Sequence, residues 1–92
     1  MDIGMGPTIG TAPRNHGMIV LEYDNQGYMN TGGQLSYTTP QGHQTATSRL
    51  GKMFPHKNTM AIMAATGIDY CFSAIESTGL DLVEKAAKAQ WY

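Results

Sequence analysis

Residues 18–52 read MIVLEYDNQGYMNTGGQLSYTTPQGHQTATSRLGK, and an abrupt change of character inside them decides the fold class. The first six residues form a short apolar run with β-branched members, set between Gly17 and the turn formers Asp24-Asn25. That pattern predicts a strand over 18–23. Its hydrophobicity is continuous rather than alternating, as in a parallel strand covered on both faces. From residue 24 to 55 no period survives, and Gly, Thr, Asn, Gln, Ser and Pro dominate. A loop of that length inside a compact domain is either functional or disordered. Tyr23, Tyr28, Met29, Tyr37 and Met53 give this one something to pack, which argues against disorder.

Working outward, residues 2–15 carry Ile3, Met5, Ile9 and Ala12 but also Gly4, Gly6, Gly10 and two prolines, which predicts a poor or broken helix. After the loop, Met60, Ile62, Met63 and Ala64 predict a helix over 56–66, with Gly67 as its C-terminal cap. A second strand is expected over 69–75 (DYCFSAI). A last helix is expected over 78–91, where Leu80, Val83, Ala87 and Trp91 repeat at three- and four-residue steps. Lys85 and Lys88 then form a solvated face near its C-terminus, which suits the helix dipole. The order is helix, strand, long loop, helix, strand, helix. Strands separated by helices imply an α/β fold with a parallel sheet. Two strands cannot satisfy a sheet alone, so the chain reads as part of a larger α/β domain, incomplete at both ends.

Composition narrows the function classes. Ninety-two residues are one domain or part of one, and a chain this short buries roughly 60–65% of its unfolded surface. Six Lys/Arg against seven Asp/Glu leave a net charge of −1, and no basic stripe alternates with aromatics, so nucleic acid is not an expected partner. The longest apolar run, residues 18–21, is too short to span a bilayer, so no membrane partner is expected. Residues 1–17 lack a basic-then-apolar secretory signal, and the expected compartment is the cytoplasm. The single cysteine, Cys71, excludes a disulfide or a cysteine-only zinc or iron–sulfur site within the chain, and is read as an inert thiol in the second strand. His16, His43 and His56 are spaced too unevenly for a helical metal pair and read as solvated or capping groups. Met60 and Met63 read as helix core.

Ligands of open parallel sheets sit at the carboxyl ends of strands, and the first strand ends directly in residues 24–34, DNQGYMNTGGQ. Side-chain amides and main-chain carbonyls are hard oxygen donors suited to magnesium, which takes few protein ligands and keeps phosphate oxygens. Backbone N–H groups near Gly32 and Gly33 are placed to face an anion. The residues alone permit a Mg²⁺–phosphate site or an Asx-turn-rich surface loop. Calcium is disfavoured, because Asp24 stands where an EF-hand needs several acids. Arg49 and Lys52 are the loop's two cations, available to an anion or another subunit.

Residues 23–52 resemble the cofactor loop of the pyruvate (2-oxoacid):ferredoxin oxidoreductase family. The likeness rests on Tyr28-Met29-Asn30-Thr31-Gly32-Gly33-Gln34, followed by Thr39-Pro40, Thr45-Ala46-Thr47 and Gly51-Lys52. Asp2-Ile3-Gly4 is similar to the Asp-Ile-Gly that follows the family's Gly-Asp-Gly motif. The resemblance implies a thiamine-diphosphate-binding domain, of which residues 1–92 are the C-terminal part and 24–55 the cofactor loop. It implies Asn25 as the side-chain Mg²⁺ ligand and Gly27 as a backbone-carbonyl ligand. Gln26, Tyr28 and Met29 would line the diphosphate, and Asn30 would lie against the cofactor near its reactive carbon as the catalytic residue.

The implied reaction is oxidative decarboxylation of a 2-oxoacid such as pyruvate, with electrons passing to ferredoxin through iron–sulfur clusters and the acyl group to coenzyme A. The clusters would belong to the rest of the complex, the Gly-Asp-Gly metal ligand would lie just before residue 1, and a different domain or subunit would supply the pyrimidine-binding half of the site. The chain would therefore work only with other subunits. The alternative expectation is a non-catalytic fragment or assembly module docking on a partner subunit.

Overall fold

Three short α-helices are the chain's regular elements in a computed structural model that describes all 92 residues. They belong to one of two units, formed by Met1, Ile3–Leu21 and Thr59–Tyr92; the other comprises Asp2 and Glu22–Asn58.

In the first unit, α1 spans Met5–Thr11 despite two glycines and a proline. Pro7 lies in the first turn, where its missing N–H has no intrahelical partner to lose. Thr8 and Thr11 donate their hydroxyls back to the carbonyls of Gly4 (2.7 Å) and Pro7 (2.8 Å), which ties down the turn. A 3₁₀ turn, Ala12–Arg14, follows and stops at Asn15, whose backbone is left-handed at φ 45°. The Asn15 side-chain amide donates to Asp69 at 2.8 Å. The poor helix expected over 2–15 is thus a short real one.

Helix α2, Thr59–Ala64, buries Met63 and ends as expected, with the Gly67 N–H on the Ala64 carbonyl at φ 81°. Helix α3, Gly79–Ala89, opens on Asp81, which accepts an ion pair from Lys85 at 2.7 Å. Lys85 also donates to the Ser73 carbonyl (3.0 Å). Lys88 stands 5.6 Å over the Tyr70 ring, which stacks on Tyr92 at 5.0 Å with planes 4° apart. The two lysines are therefore pinned to the 70–73 segment rather than simply solvated. They turn Asp81, Leu82, Lys85 and Ala89 toward the rest of the unit, leaving the predicted apolar stripe of Leu80, Val83, Ala87 and Trp91 exposed. No helix is long and apolar enough to cross a membrane.

The parallel sheet expected from residues 18–23 and 69–75 does not form. Neither segment pairs with another strand, and the sole bridges are isolated antiparallel ones at Tyr28–Gln34 and Thr45–Ser48. A strand is defined by its ladder partner, and one strand in each segment finds none. Met18, Ile19, Val20 and Leu21 are accordingly exposed, and Cys71 is half-buried in an unpaired segment.

The second unit contains no helix, and its interior is polar. Ser36, Thr39 and Lys52 are buried, Lys52 being only 2% exposed. Backbone bonds stitch the loop across its length: Gly42 N–H to Lys52 O (2.9 Å), Lys52 N–H to His43 O (3.0 Å) and Ala46 N–H to Gly33 O (3.0 Å). The strands of loop cross most tightly at Gly51. It sits at φ 92°, and a β-carbon there would come within 2.7 Å of the Gly42 carbonyl oxygen. Gly51→Ala should therefore destabilise this unit by at least about 2 kcal/mol, combining left-handed strain with a backbone clash. Urea unfolding followed by tyrosine fluorescence checks it, and an unchanged midpoint would refute it.

Candidate functional site

The segment 24–34 is built as two successive turns. In the first, Asp24 Oδ1 accepts the Gln26 N–H at 2.8 Å, closing an Asx-turn. Gln26 is left-handed at φ 64°, a conformation that costs a non-glycine residue roughly 1–2 kcal/mol and persists only when its neighbours impose it. They do: the Thr38 hydroxyl donates to the same Asp24 oxygen (2.7 Å), and the Thr39 hydroxyl donates to the Gln26 carbonyl (2.6 Å).

The second turn is pinched at its base, where Tyr28 N–H donates to Gln34 O (3.0 Å) and Gln34 N–H to Tyr28 O (3.2 Å). Gly32 (φ 116°) and Gly33 (φ 76°) let the chain reverse. Across the tip, Thr31 Oγ1 bonds Gln34 Oε1, and Gln34 Nε2 donates to Thr31 O at 2.8 Å. Gly27 lies between the two turns. A β-carbon there would meet the Met29 methyl at 3.1 Å and the Gln34 carbonyl at 3.2 Å.

The predicted site residues thus occupy one continuous double turn. Asn25 is exposed, and its amide makes no hydrogen bond; the Gly27 carbonyl likewise has no backbone partner. Gln26 holds its place through backbone groups. Tyr28 has its hydroxyl tied down, while Met29 and Asn30 stand exposed on the tip. With Tyr28, residues Leu35, Ser36, Tyr37 and Phe54 line an open depression. No three His, Cys, Asp or Glu side chains gather as a metal cluster. The donors on offer are instead neutral oxygens, the Asn25 amide and the Gly27 carbonyl. Such a set fits Mg²⁺ bound with phosphate oxygens and does not fit a transition metal that wants imidazole or thiolate.

What holds the double turn was not apparent from residue types. Lys52 is not available to an anion: its ammonium donates to the carbonyls of Tyr37 (2.7 Å) and Thr39 (2.6 Å) and lies 4.7 Å from the centroid of the Phe54 ring. Asp2 is the second anchor. Its Oδ2 accepts the Tyr28 hydroxyl (2.9 Å) and the Tyr37 N–H (3.0 Å), and its Oδ1 pairs with Lys57 at 2.5 Å. The Asp-Ile-Gly likeness marked Asp2 but not this role. A signal existed for Lys52, since residues 24–55 hold one acid, Asp24, and a lysine folded among them must turn to carbonyls.

Burial alone would push the Asp2 carboxyl up, but the Lys57, Tyr37 and Tyr28 hydrogen bonds outweigh it and hold the carboxyl below its ordinary 3.8. Donation to Asp2, with some desolvation, raises the Tyr28 phenol above 10.0.

Comparison with known proteins bears on the chain as a whole. Residues 1–91 match the family model described as thiamine pyrophosphate enzyme, C-terminal TPP binding domain. The chain is 44% identical over 94 residues to pyruvate synthase subunit PorB of Methanothermobacter thermautotrophicus, covering 97% of this chain and 33% of that protein. It is 40% identical to the PorB subunit of Thermotoga maritima, covering 96% and 29%. It is 35% identical to ketoisovalerate oxidoreductase subunit VorB of Pyrococcus horikoshii, covering 97% and 30%. The resemblance seen in residues 23–52 is borne out over nearly the whole chain. The chain spans about a third of the length of the curated relatives it matches. No solved structure matches it.

A carboxyl held below its ordinary pKa stabilises the fold fully above the unfolded value and ceases to as pH falls through the folded one. Unit-two stability should therefore drop below about pH 4. Asp2→Asn should flatten that acid limb and remove about 2 kcal/mol at neutral pH. Amide chemical shifts of Tyr37 against pH report both; an acid limb surviving intact in the variant would refute the assignment.

Proposed function

This chain belongs to the C-terminal thiamine-pyrophosphate-binding domain family of thiamine pyrophosphate enzymes, and from that premise we propose that its 24–34 double turn holds Mg²⁺ and the cofactor diphosphate in a 2-oxoacid oxidoreductase. The observation that carries this reading is the left-handed Gln26 turn, with the unpartnered Asn25 amide on one side and the Gly27 carbonyl on the other.

Asn25 and Gly27 supply oxygens to the metal, which needs few protein ligands when phosphate completes its shell. Gln26, Tyr28 and Met29 border the diphosphate. Gly27 has no room for a side chain, which keeps the backbone open to a close approach. Asn30, exposed on the tip, would lie against the cofactor near its reactive carbon. Thiamine diphosphate, when bound, supplies the carbon nucleophile that lets a 2-oxoacid lose CO₂ and yield electrons.

The relatives' names, pyruvate synthase and ketoisovalerate oxidoreductase, support pyruvate or a related 2-oxoacid as substrate. The Gly32-Gly33-Gln34 form of the signature favours pyruvate. Ferredoxin is the proposed acceptor, through iron–sulfur clusters carried elsewhere in a cytoplasmic hetero-oligomer, with coenzyme A taking the acyl group. Within the assembled protein, residues 18–23 and 69–75 join a parallel sheet, a reading supported by the continuous apolar run at 18–21.

A second reading, a non-catalytic assembly module, is favoured by one observation. Residues 18–21 and the Leu80, Val83 and Trp91 stripe are exposed, and apolar surface of that extent marks an interaction face. Both readings require partner subunits, and only the first requires cofactor.

The test is calorimetric titration of thiamine diphosphate into the assembled complex with and without Mg²⁺. Binding should depend on Mg²⁺, and Asn25→Ala should weaken it about 10- to 100-fold. Absence of binding would leave the assembly-module reading, and metal-independent binding would overturn the assignment of Mg²⁺ to the double turn.

A further inference from the structure

Resting on the assignment of Asn25 and Gly27 as metal donors, we propose that Lys52 is a positioning residue for that site. It acts through Thr38 and Thr39 to set the two peptide planes flanking Gln26, the residue that separates the two donors.

A residue's φ and ψ are the rotations relating its two flanking peptide planes, which are themselves rigid. At Gln26 both planes are clamped. The plane shared with Asn25 is held through the Gln26 N–H on Asp24 Oδ1 (2.8 Å). The plane shared with Gly27 is held through the Gln26 carbonyl under the Thr39 hydroxyl (2.6 Å). Both clamps lead to one ammonium. Lys52 donates to the carbonyls of residues 37 and 39, which bracket Thr38. Thr38 in turn donates to the Asp24 oxygen that fixes the first plane, and Thr39 donates to the oxygen that fixes the second. The Thr39 hydroxyl is also oriented from behind, accepting the Ser36 N–H at 3.0 Å.

Lys52, Thr39 and Ser36 are buried, so water does not compete for the Lys52–Thr39 carbonyl and Ser36–Thr39 bonds, whereas the bonds on Asp24 are exposed. The arrangement uses the lysine's charge on carbonyl dipoles and on the Phe54 ring rather than on an anion. It therefore acts on the donors' aim and makes no contact with the diphosphate. Without it, Gln26 is free to leave the left-handed region, and the Gly27 carbonyl and Asn25 amide no longer keep their relative direction.

The probe is Mn²⁺ in place of Mg²⁺, bound to the assembled complex with thiamine diphosphate and read by electron paramagnetic resonance. Thr39→Val, which keeps the shape and removes the hydroxyl, should weaken Mn²⁺ about 10-fold and change its line shape at saturating metal. Thr39→Ser should restore both. Lys52→Met should behave as Thr39→Val, and if it does not fold, the Thr39 pair decides. Asn25→Ala separates this inference from the reading beneath it. If Asn25→Ala loses Mn²⁺ while Thr39→Val retains wild-type affinity and line shape, the relay is refuted and the donor assignment stands. If Asn25→Ala changes nothing, both fall. A lower affinity in Thr39→Val with an unchanged saturated spectrum would also overturn the relay, since it would reflect fewer folded molecules.

Discussion

A lysine ammonium enclosed by main-chain carbonyls is the constraint on which the second unit depends. Burying a charge is costly unless its protons are satisfied, and a fully desolvated ammonium drives whatever surrounds it to supply acceptors. Around Lys52 those acceptors are the carbonyls of Tyr37 and Thr39. Meeting that demand fixes residues 37–39, and their side chains in turn fix residues 24–26. Asp2 does the same for Tyr28 and Tyr37 from another side. About thirty residues without helix or ladder thus hold a defined path, because a few buried polar groups cannot tolerate any other.

The first unit works by the opposite means. Its helices are short, its buried apolar content is Met63, and α3 makes its side-chain contacts through the Asp81–Lys85–Ser73 and Lys88–Tyr70–Tyr92 clusters. Those contacts are part-exposed or exposed, where ion pairs contribute little. They orient α3 without giving it a core, and its apolar stripe faces outward together with residues 18–21. Such elements are written for burial, and the pattern that made them legible is the one left uncovered.

That contrast explains what was readable in advance. Helices α2 and α3 and the Gly67 cap followed from periodicity and capping rules, which are local. Helix α1 was underestimated because two threonine hydroxyls bonding back one turn compensate for its glycines. The strands at 18–23 and 69–75 were read from apolar content, but ladder pairing is a property of two segments, and neither carries its partner. In the loop, the Asn25–Asn30 stretch was marked by its resemblance and by its amides and glycines. Lys52 was read as a cation open to an anion or another subunit, whereas its partners are carbonyls, which every residue has. Only conformation decides which of them gather.

The polar interior of the second unit also sets how it responds to temperature. Heat-capacity changes on unfolding come from apolar surface newly exposed to water, while exposed polar surface contributes with the opposite sign. With Ser36, Thr39 and Lys52 in place of a hydrocarbon core, this unit should unfold with a smaller heat-capacity change than an apolar core of its size would give. Its stability curve should therefore be broad and shallow rather than sharply domed. Cooling, which weakens apolar cores, leaves its carbonyl cage intact.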